Sequence, residues 1–479
     1  MAGKSFASIL MRQSSWYFLC NALNNGLAII LLPFLSHYLT TEEYGIVQLS
    51  TGIGLFLPML FCAGIDKSIY RFFHEFHDDK RITLISSVYW FVIISGLIVL
   101  SIFAFSSFFW FEPFLHIKPY PYCLLFAYPY LFLQLATIGL SVCQQTFNLK
   151  TMTFIEVIGT VVNLSLSILF VVYVFEDGAV ARLLAIFISY LIKAFAYTCI
   201  LINKKLLKFK LSIKLLKESI KYSLPLLPNS IALWLIRTFD RVLVSYFCGP
   251  AICGEYSVGV QVSFVVYFVQ DSVMQALGPL QIKAFIEDKV SAIGRLMTLS
   301  RALWIIMGVV TFVYCTICPE LMKIFLGKDF IPSFLTIIFL TTVYTFQAQY
   351  RLFSDILSYH KATKWFMYAG ITQATLGLAL NLILIPKIGY DAAGISNLIS
   401  VFVYTSIVIL ASLRYEDINI PFFFYLKHLL VWVFFFGAIY YFKDDISTKY
   451  LTLVIFIIIY LIILKNEIKN RHIVLHVLK

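Results

Sequence analysis

The residues best suited to bind an anion stand in the segment WLIRTFDRVLV, residues 234–244, where Arg237 and Arg241 are four apart and Asp240 follows Arg237 by three. On a helix the two arginines share a face and Asp240 is within reach of Arg237. A guanidinium presents a planar fork of donors that matches phosphate oxygens, so this face suits a cationic wall for a phosphate group. The same residues also suit an internal salt bridge that locks the helix among its neighbours. The two roles are compatible, with one arginine paired to Asp240 and the other available.

Other polar residues fall inside apolar runs. Lys193 has no acidic residue within one turn and is too deep to reach an interface easily, which makes it a second candidate cation. Glu156, Thr160, Asn163 and Ser167 recur at spacings of four, three and four and form one polar stripe. Such a stripe suits a hydrophilic path or hydrogen bonds to a neighbouring helix. Asn21, Asn24, Asn25, Gln373 and Asn381 are further candidates for polar contacts. Glu156 and Asp271 have no base adjacent in sequence, so either is placed to take up a coupling proton or sodium ion, or to serve structure.

Several chemistries are absent. No G-x-x-x-x-G-K-[ST] loop is present, so the chain has no such site for nucleotide hydrolysis. HEFHDD, beginning at His74, lacks the spacing that puts two imidazoles on one helical face and reads as a solvated loop. Cys315 and Cys318 have C-x-x-C spacing without a second pair nearby, which favours two buried thiols over a metal or redox site. Cys248 and Cys253 flank a short turn, as a disulfide or as free thiols. Neither cofactor nor metal is expected.

The elements that carry these residues are set by composition. Of 479 residues 61% are hydrophobic and 13% charged, which makes lipid the solvent. Apolar windows of about 20 residues, enough to cross a hydrocarbon core of about 30 Å, recur along the whole chain. Spans fall at about Ser15 to Ser36, Tyr44 to Gly64, Ile82 to Ser106, Tyr122 to Val142, Thr153 to Phe175 and Ala179 to Ile202. A second series runs from Ser223 to Phe247, Cys253 to Leu277, Leu299 to Cys318, Ile331 to Phe353, Trp365 to Pro386 and Ala392 to Leu413. Leu426 to Phe442 and Tyr450 to Leu464 close an all-α polytopic membrane protein of about fourteen transmembrane helices. No exposed segment has room for a nucleotide-sugar domain.

The formal charge of +12 does not imply a nucleic-acid partner, because the basic residues sit on one side of the spans. Roughly 27 Lys and Arg fall in one set of loops and about 6 in the other, the positive-inside bias that places both termini in the cytoplasm. Lys4 and Arg12 precede a long first apolar run that contains asparagines and lacks a small-x-small cleavage site, so it reads as an uncleaved helix.

The basic segment 203–222 divides residues 1–202, an N-terminal six-helix bundle, from residues 223–413, a C-terminal one, with two further helices and a tail in 414–479. It reads as a cytoplasmic hinge, either a plain basic loop or a segment lying along the anionic leaflet. The bundles echo each other. SHYLTTEEYGIVQLS at Ser36 matches SYFCGPAICGEYSVGVQVS at Ser245 through a Glu-Tyr pair, and FEDGAVARLLAIFISYL at Phe175 matches IGYDAAGISNLISVFVY at Ile388. Six helices separate each motif from its copy, so the repeats run parallel, as in transporters with a central cavity.

Four segments carry a family resemblance. LLPFLSHYLTTEEYGIVQLSTGIG, GIDKSIYRFF, YSLPLLPNSIALWLIRTFDRVLVSYFCG and LNLILIPKIGYDAAGISNLIS occur in an order and spacing that resembles the polysaccharide-transport branch of the multidrug/oligosaccharidyl-lipid/polysaccharide superfamily, which includes the O-antigen flippases. The resemblance covers roughly residues 10 to 415. It implies two parallel six-helix bundles around a central cavity that opens alternately to each side of a bacterial inner membrane. It implies as cargo an oligosaccharide repeat unit on undecaprenyl pyrophosphate, with membrane lipid and the pathway's polymerase and glycosyltransferases as partners. Arg237, Arg241 and Lys193 then suit the pyrophosphate, and the amides of Asn21, Asn25 and Asn163 suit sugar hydroxyls. Asp240, Glu156 and Asp271 are left for ion coupling or structure. The rivals are a multidrug or lipid-precursor exporter of the same superfamily, for which drug export favours an acidic cavity, and a membrane saccharide polymerase, which calls for a long outer loop where these are short.

Overall fold

A computed structural model describes residues 31–146, 148–443 and 445–469. Among them every regular element is a helix. Eleven helices are long and apolar enough to cross a membrane. Two more of spanning length, Leu227–Cys248 and Phe334–Tyr359, stand where the sequence places spans. The first carries Arg237, Asp240 and Arg241, which dilute its apolar character. Of the span read at Ser15 to Ser36, residues 31–36 are described, as helix; Asn21, Asn24 and Asn25 lie outside the described residues.

The chain divides into two compact units, Met1–Glu255 and Tyr256–Lys479. The first contains α1 (Thr41–Cys62), α2 (Lys67–Phe72), α3 (Asp78–Trp110), α4 (Pro119–Gln145), α5 (Leu149–Leu169), α6 (Gly178–Asn203), α7 (Ile213–Ser223) and α8 (Leu227–Cys248), together with the start of α9 (Pro250–Glu287). The second contains the rest of α9, then α10 (Lys289–Phe325), α11 (Phe334–Tyr359), α12 (Lys364–Ile388), α13 (Asp391–Ser412), α14 (Phe422–Tyr441) and α15 (Ile446–Lys469).

The motifs that echo each other in sequence meet within each unit. Thr40 caps α1 in a reciprocal box with Glu43, whose Oε2 accepts the Thr40 N–H at 2.7 Å. The other oxygen of Glu43 accepts the Gly178 N–H at 2.7 Å, so one carboxylate ties the start of α1 to the start of α6. Asp177 caps α6 through the Val180 N–H and accepts the Tyr122 hydroxyl at 2.7 Å, which brings in the start of α4. In the second unit Asp391, at the start of α13, accepts the Thr336 hydroxyl of α11 at 2.5 Å. There Tyr256 meets the Tyr390 ring edge-on at 6.4 Å. In the first unit Glu43 and Asp177 thus serve twice, once for backbone donors at their own helix start and once for a neighbouring helix, whereas Asp391 serves the neighbouring helix.

α8, which the repeat places at the head of the second bundle, packs along α1. Gly52 lets it approach: the Trp234 indole N–H donates to the Gly52 carbonyl at 2.8 Å, and a Cβ on Gly52 would lie 3.1 Å from the Thr238 methyl. In the second unit, Lys449 of α15 is buried and donates to both oxygens of Glu320 on α10, each at 2.9 Å, which fastens the last helix.

At Gly45 and Gly254 the start of α9 touches α1 through backbone alone. A Cβ on Gly45 would lie 1.9 Å from the Pro250 carbonyl oxygen, and one on Gly254 would lie 2.0 Å from that of Thr41. Gly45→Ala is therefore expected to lose about 1–3 kcal/mol of stability, as overpacking does. Gly294→Ala, with nothing within 4 Å of its Cβ, leaves that neighbourhood unstrained. Thermal unfolding of the detergent-solubilised variants checks this, and an unchanged midpoint in Gly45→Ala would contradict the close crossing.

Candidate functional site

The first unit brings two guanidinium groups toward one tyrosine. Arg182, in the second turn of α6, donates from Nη1 to Asn163 Oδ1 at 2.6 Å and to Ser167 Oγ at 2.5 Å, both on α5. Arg241, on α8, donates from Nη1 to Gln48 Oε1 of α1 at 3.1 Å. Tyr44 of α1 lies within electrostatic range of both arginines, and Tyr130 and Tyr190 flank Arg182. The Nε atoms of Arg182 and Arg241 are buried without a hydrogen-bond partner among the described residues.

A partly buried cation without a carboxylate is costly, and each buried donor left without an acceptor adds to that cost. Among the described residues of the first unit, Arg71–Glu75, Lys193–Glu156 and Lys208–Asp79 form ion pairs, and neither Arg182 nor Arg241 takes part in one. Asp240 is buried and its Oδ1 accepts the backbone N–H of Arg241 at 2.8 Å. The neutral partners Gln48, Asn163 and Ser167 orient the forks without cancelling their charge. Such an arrangement is suited to a polyanion with several oxygens.

The sequence-derived residues separate into groups. Arg241 and Asn163 belong to this site, and Arg237 is exposed on the same helix. Lys193, read as a cation without an acid nearby, donates to Glu156 Oε2 at 2.7 Å, and the Tyr197 hydroxyl donates to Oε1 at 3.0 Å. Its partner is on the adjacent helix, and Gly159 gives the lysine stem room to lie across α5. Asp271, read as an acid without an adjacent base, pairs with Arg351 of α11 at 2.5 Å and accepts from Gln275 at 2.5 Å. Spacing along one helix does not reveal partners on the next. Cys248, Cys253, Cys315 and Cys318 form no disulfide among the described residues, and the Cys253 thiol donates to the Arg241 carbonyl at 3.4 Å.

Arg182 escaped the sequence reading because it stands close behind the acidic turn Glu176–Asp177 and resembles an interfacial residue. A signal was present: two antiparallel helices joined by a short turn bring Ser167 and Arg182 alongside, so the stripe on α5 had a donor opposite it.

Helices and site together define an all-α polytopic membrane protein with a cationic, amide-lined centre in its first unit. The sequence profile of the family described as polysaccharide biosynthesis protein matches residues 10–285, and the chain belongs to that family. A relative described as an uncharacterized membrane protein of Haemophilus influenzae is 24% identical over 377 residues, which cover 77% of this chain and 89% of the relative. Among solved structures the fold is similar to the lipid II flippase MurJ in its inward closed conformation, with a TM-score of 0.71, 16% identity and coverage of 96% of this chain and 99% of that one. It is also similar to an inward-facing multidrug resistance transporter of the MATE family, with a TM-score of 0.57, 13% identity and coverage of 86% and 95%.

Proposed function

We propose that the protein is a flippase for oligosaccharide repeat units carried on undecaprenyl pyrophosphate, and that it moves them from the cytoplasmic to the outer leaflet of a bacterial inner membrane by alternating access. The observation that carries this reading is the pair Arg182 and Arg241, two partly buried guanidinium groups on helices of spanning length, with neutral partners and Nε donors unpaired among the described residues. The family supports a role in polysaccharide biosynthesis, and O-antigen or another surface polysaccharide is the product this reading assigns. The positive-inside bias supports cytoplasmic termini and a cytoplasmic linker at 203–222. The chain then acts without catalysis beside the glycosyltransferases that build its cargo and the polymerase that consumes it. An inside-negative potential favours outward movement of the anionic cargo by about 2.3 kcal/mol per charge per 100 mV.

A lipid-precursor exporter is the second reading, favoured by the likeness in fold to a lipid II flippase. Reconstitution separates the two. Proteoliposomes loaded with a fluorescent polyprenyl-pyrophosphate oligosaccharide are expected to expose label on the opposite leaflet, and faster than with lipid II. Faster movement of lipid II would select the second reading, and movement of neither above protein-free vesicles would refute both.

A further inference from the structure

The linker between α6 and α7 is pinned to α3 as a strap. The Lys208 N–H donates to Ser86 Oγ at 2.9 Å and the Ser212 N–H to Ser87 Oγ at 2.8 Å. The Trp90 indole donates to the Lys208 carbonyl at 3.1 Å, and its ring meets that of Phe209 at 4.7 Å. These anchors fix the depth of the strap. α3 has 33 residues. At about 1.5 Å per residue that is roughly 50 Å, against a hydrocarbon core of about 30 Å. Placing the excess at its charged end, Asp78–Arg81, moves the start of the span inward from Ile82 and puts Ser86, Ser87 and Trp90 in the headgroup layer, where tryptophan is favoured.

At that level Phe209, Leu211 and Ile213 are 89%, 51% and 66% exposed. Exposed Lys208, Lys210 and Lys214 interleave with them. α7 keeps its own apolar face for the protein, since Leu215 and Leu216 are buried. The apolar residues of the strap are therefore left facing the bilayer side by side with lysines. Lys208 is partly occupied by Asp79 at 3.6 Å, whereas Lys210, Lys214 and Lys217 form no ion pair within 4 Å among the described residues, although Glu218 follows on α7.

We propose that residues 208–217 form a binding surface for anionic phospholipid, with Phe209, Leu211 and Ile213 at the acyl boundary and Lys210, Lys214 and Lys217 on headgroup phosphates. Basic residues at an anionic surface attract it additively and are screened by salt. The proposal does not depend on the identity of the cargo.

Chymotrypsin cleavage after Phe209 reads the strap directly in the full-length protein. In phosphatidylcholine vesicles the outward-facing straps are expected to be cut, and in vesicles with about 30 mol% phosphatidylglycerol to be protected about a hundredfold, each of three lysines adding roughly a factor of five. Raising salt to about 1 M is expected to restore cutting in the wild type. The triple variant Lys210→Gln, Lys214→Gln, Lys217→Gln is expected to be cut equally in both compositions. Equal cutting of the wild type in both, or full protection in the triple variant, would overturn the proposal.

Discussion

Arg182→Gln is expected to lower cargo translocation about a hundredfold while leaving insertion intact. A hydrogen bond to a charged group contributes about 1.5–3 kcal/mol, so removing two such bonds to a phosphate, at the lower end of that range, accounts for a loss of about a hundredfold. Glutamine retains a donor for Asn163 and Ser167, which at present hold the guanidinium at 2.6 and 2.5 Å, and so the pairing of α5 with α6 survives. Arg182→Lys keeps the charge and loses the fork; a smaller loss of about tenfold is expected, because a point charge cannot make the bidentate contact. Arg241→Gln is expected to resemble Arg182→Gln, with Gln48 still partnered. The assay is translocation of the fluorescent pyrophosphate-linked cargo by proteoliposomes containing equal amounts of folded protein. Normal rates in both glutamine variants would remove the two arginines from the cargo site, and a loss as deep in Arg182→Lys as in Arg182→Gln would replace a charge requirement by a shape requirement.

The architecture is legible in the sequence because lipid imposes a coarse rule: a long apolar window must be a helix, as nothing else satisfies its backbone inside a bilayer. That rule places most spans from Tyr44 onward within a few residues of a helix, but it ends the span at Leu277 ten residues short of the end of α9 and starts the span at Leu299 ten residues inside α10, where polar and charged residues continue the helices beyond the apolar runs. It is silent on lateral neighbours. Lys193 and Glu156 are 37 residues apart, and Asp271 and Arg351 are 80 apart, so no periodicity along one helix announces either pair. Charge beside a helix end misleads in the opposite direction, and Arg182 was hidden by the acidic turn before it. The 203–222 linker shows the same limit: its lysines announce a basic surface, but only Ser86, Ser87 and Trp90 reveal that it is tied down.

Glu156 and Lys193 decide between structure and ion coupling, and single substitutions there are expected to be severe. Glu156→Gln leaves the Lys193 ammonium inside the membrane without its carboxylate, and Lys193→Met leaves the carboxylate with only the Tyr197 hydroxyl. Breaking one side of a buried pair costs about 3–5 kcal/mol, because the remaining charge is uncompensated. Each single variant is therefore expected to reach the membrane in much reduced yield, measured by folded protein after detergent extraction. The double variant Glu156→Gln, Lys193→Met has no orphaned charge, and its yield is expected to return close to wild type. Its transport then carries the decision. If the pair only joins α5 to α6, the double variant translocates cargo at the wild-type rate and keeps any acceleration by a pH gradient at clamped voltage. If Glu156 carries a coupling proton, the double variant folds but loses that acceleration, since neither glutamine nor methionine can exchange a proton. The geometry favours the first outcome: both oxygens of Glu156 are already engaged, one by an ammonium at 2.7 Å and one by a phenol at 3.0 Å, and a proton arriving there must displace a partner held within the same two helices.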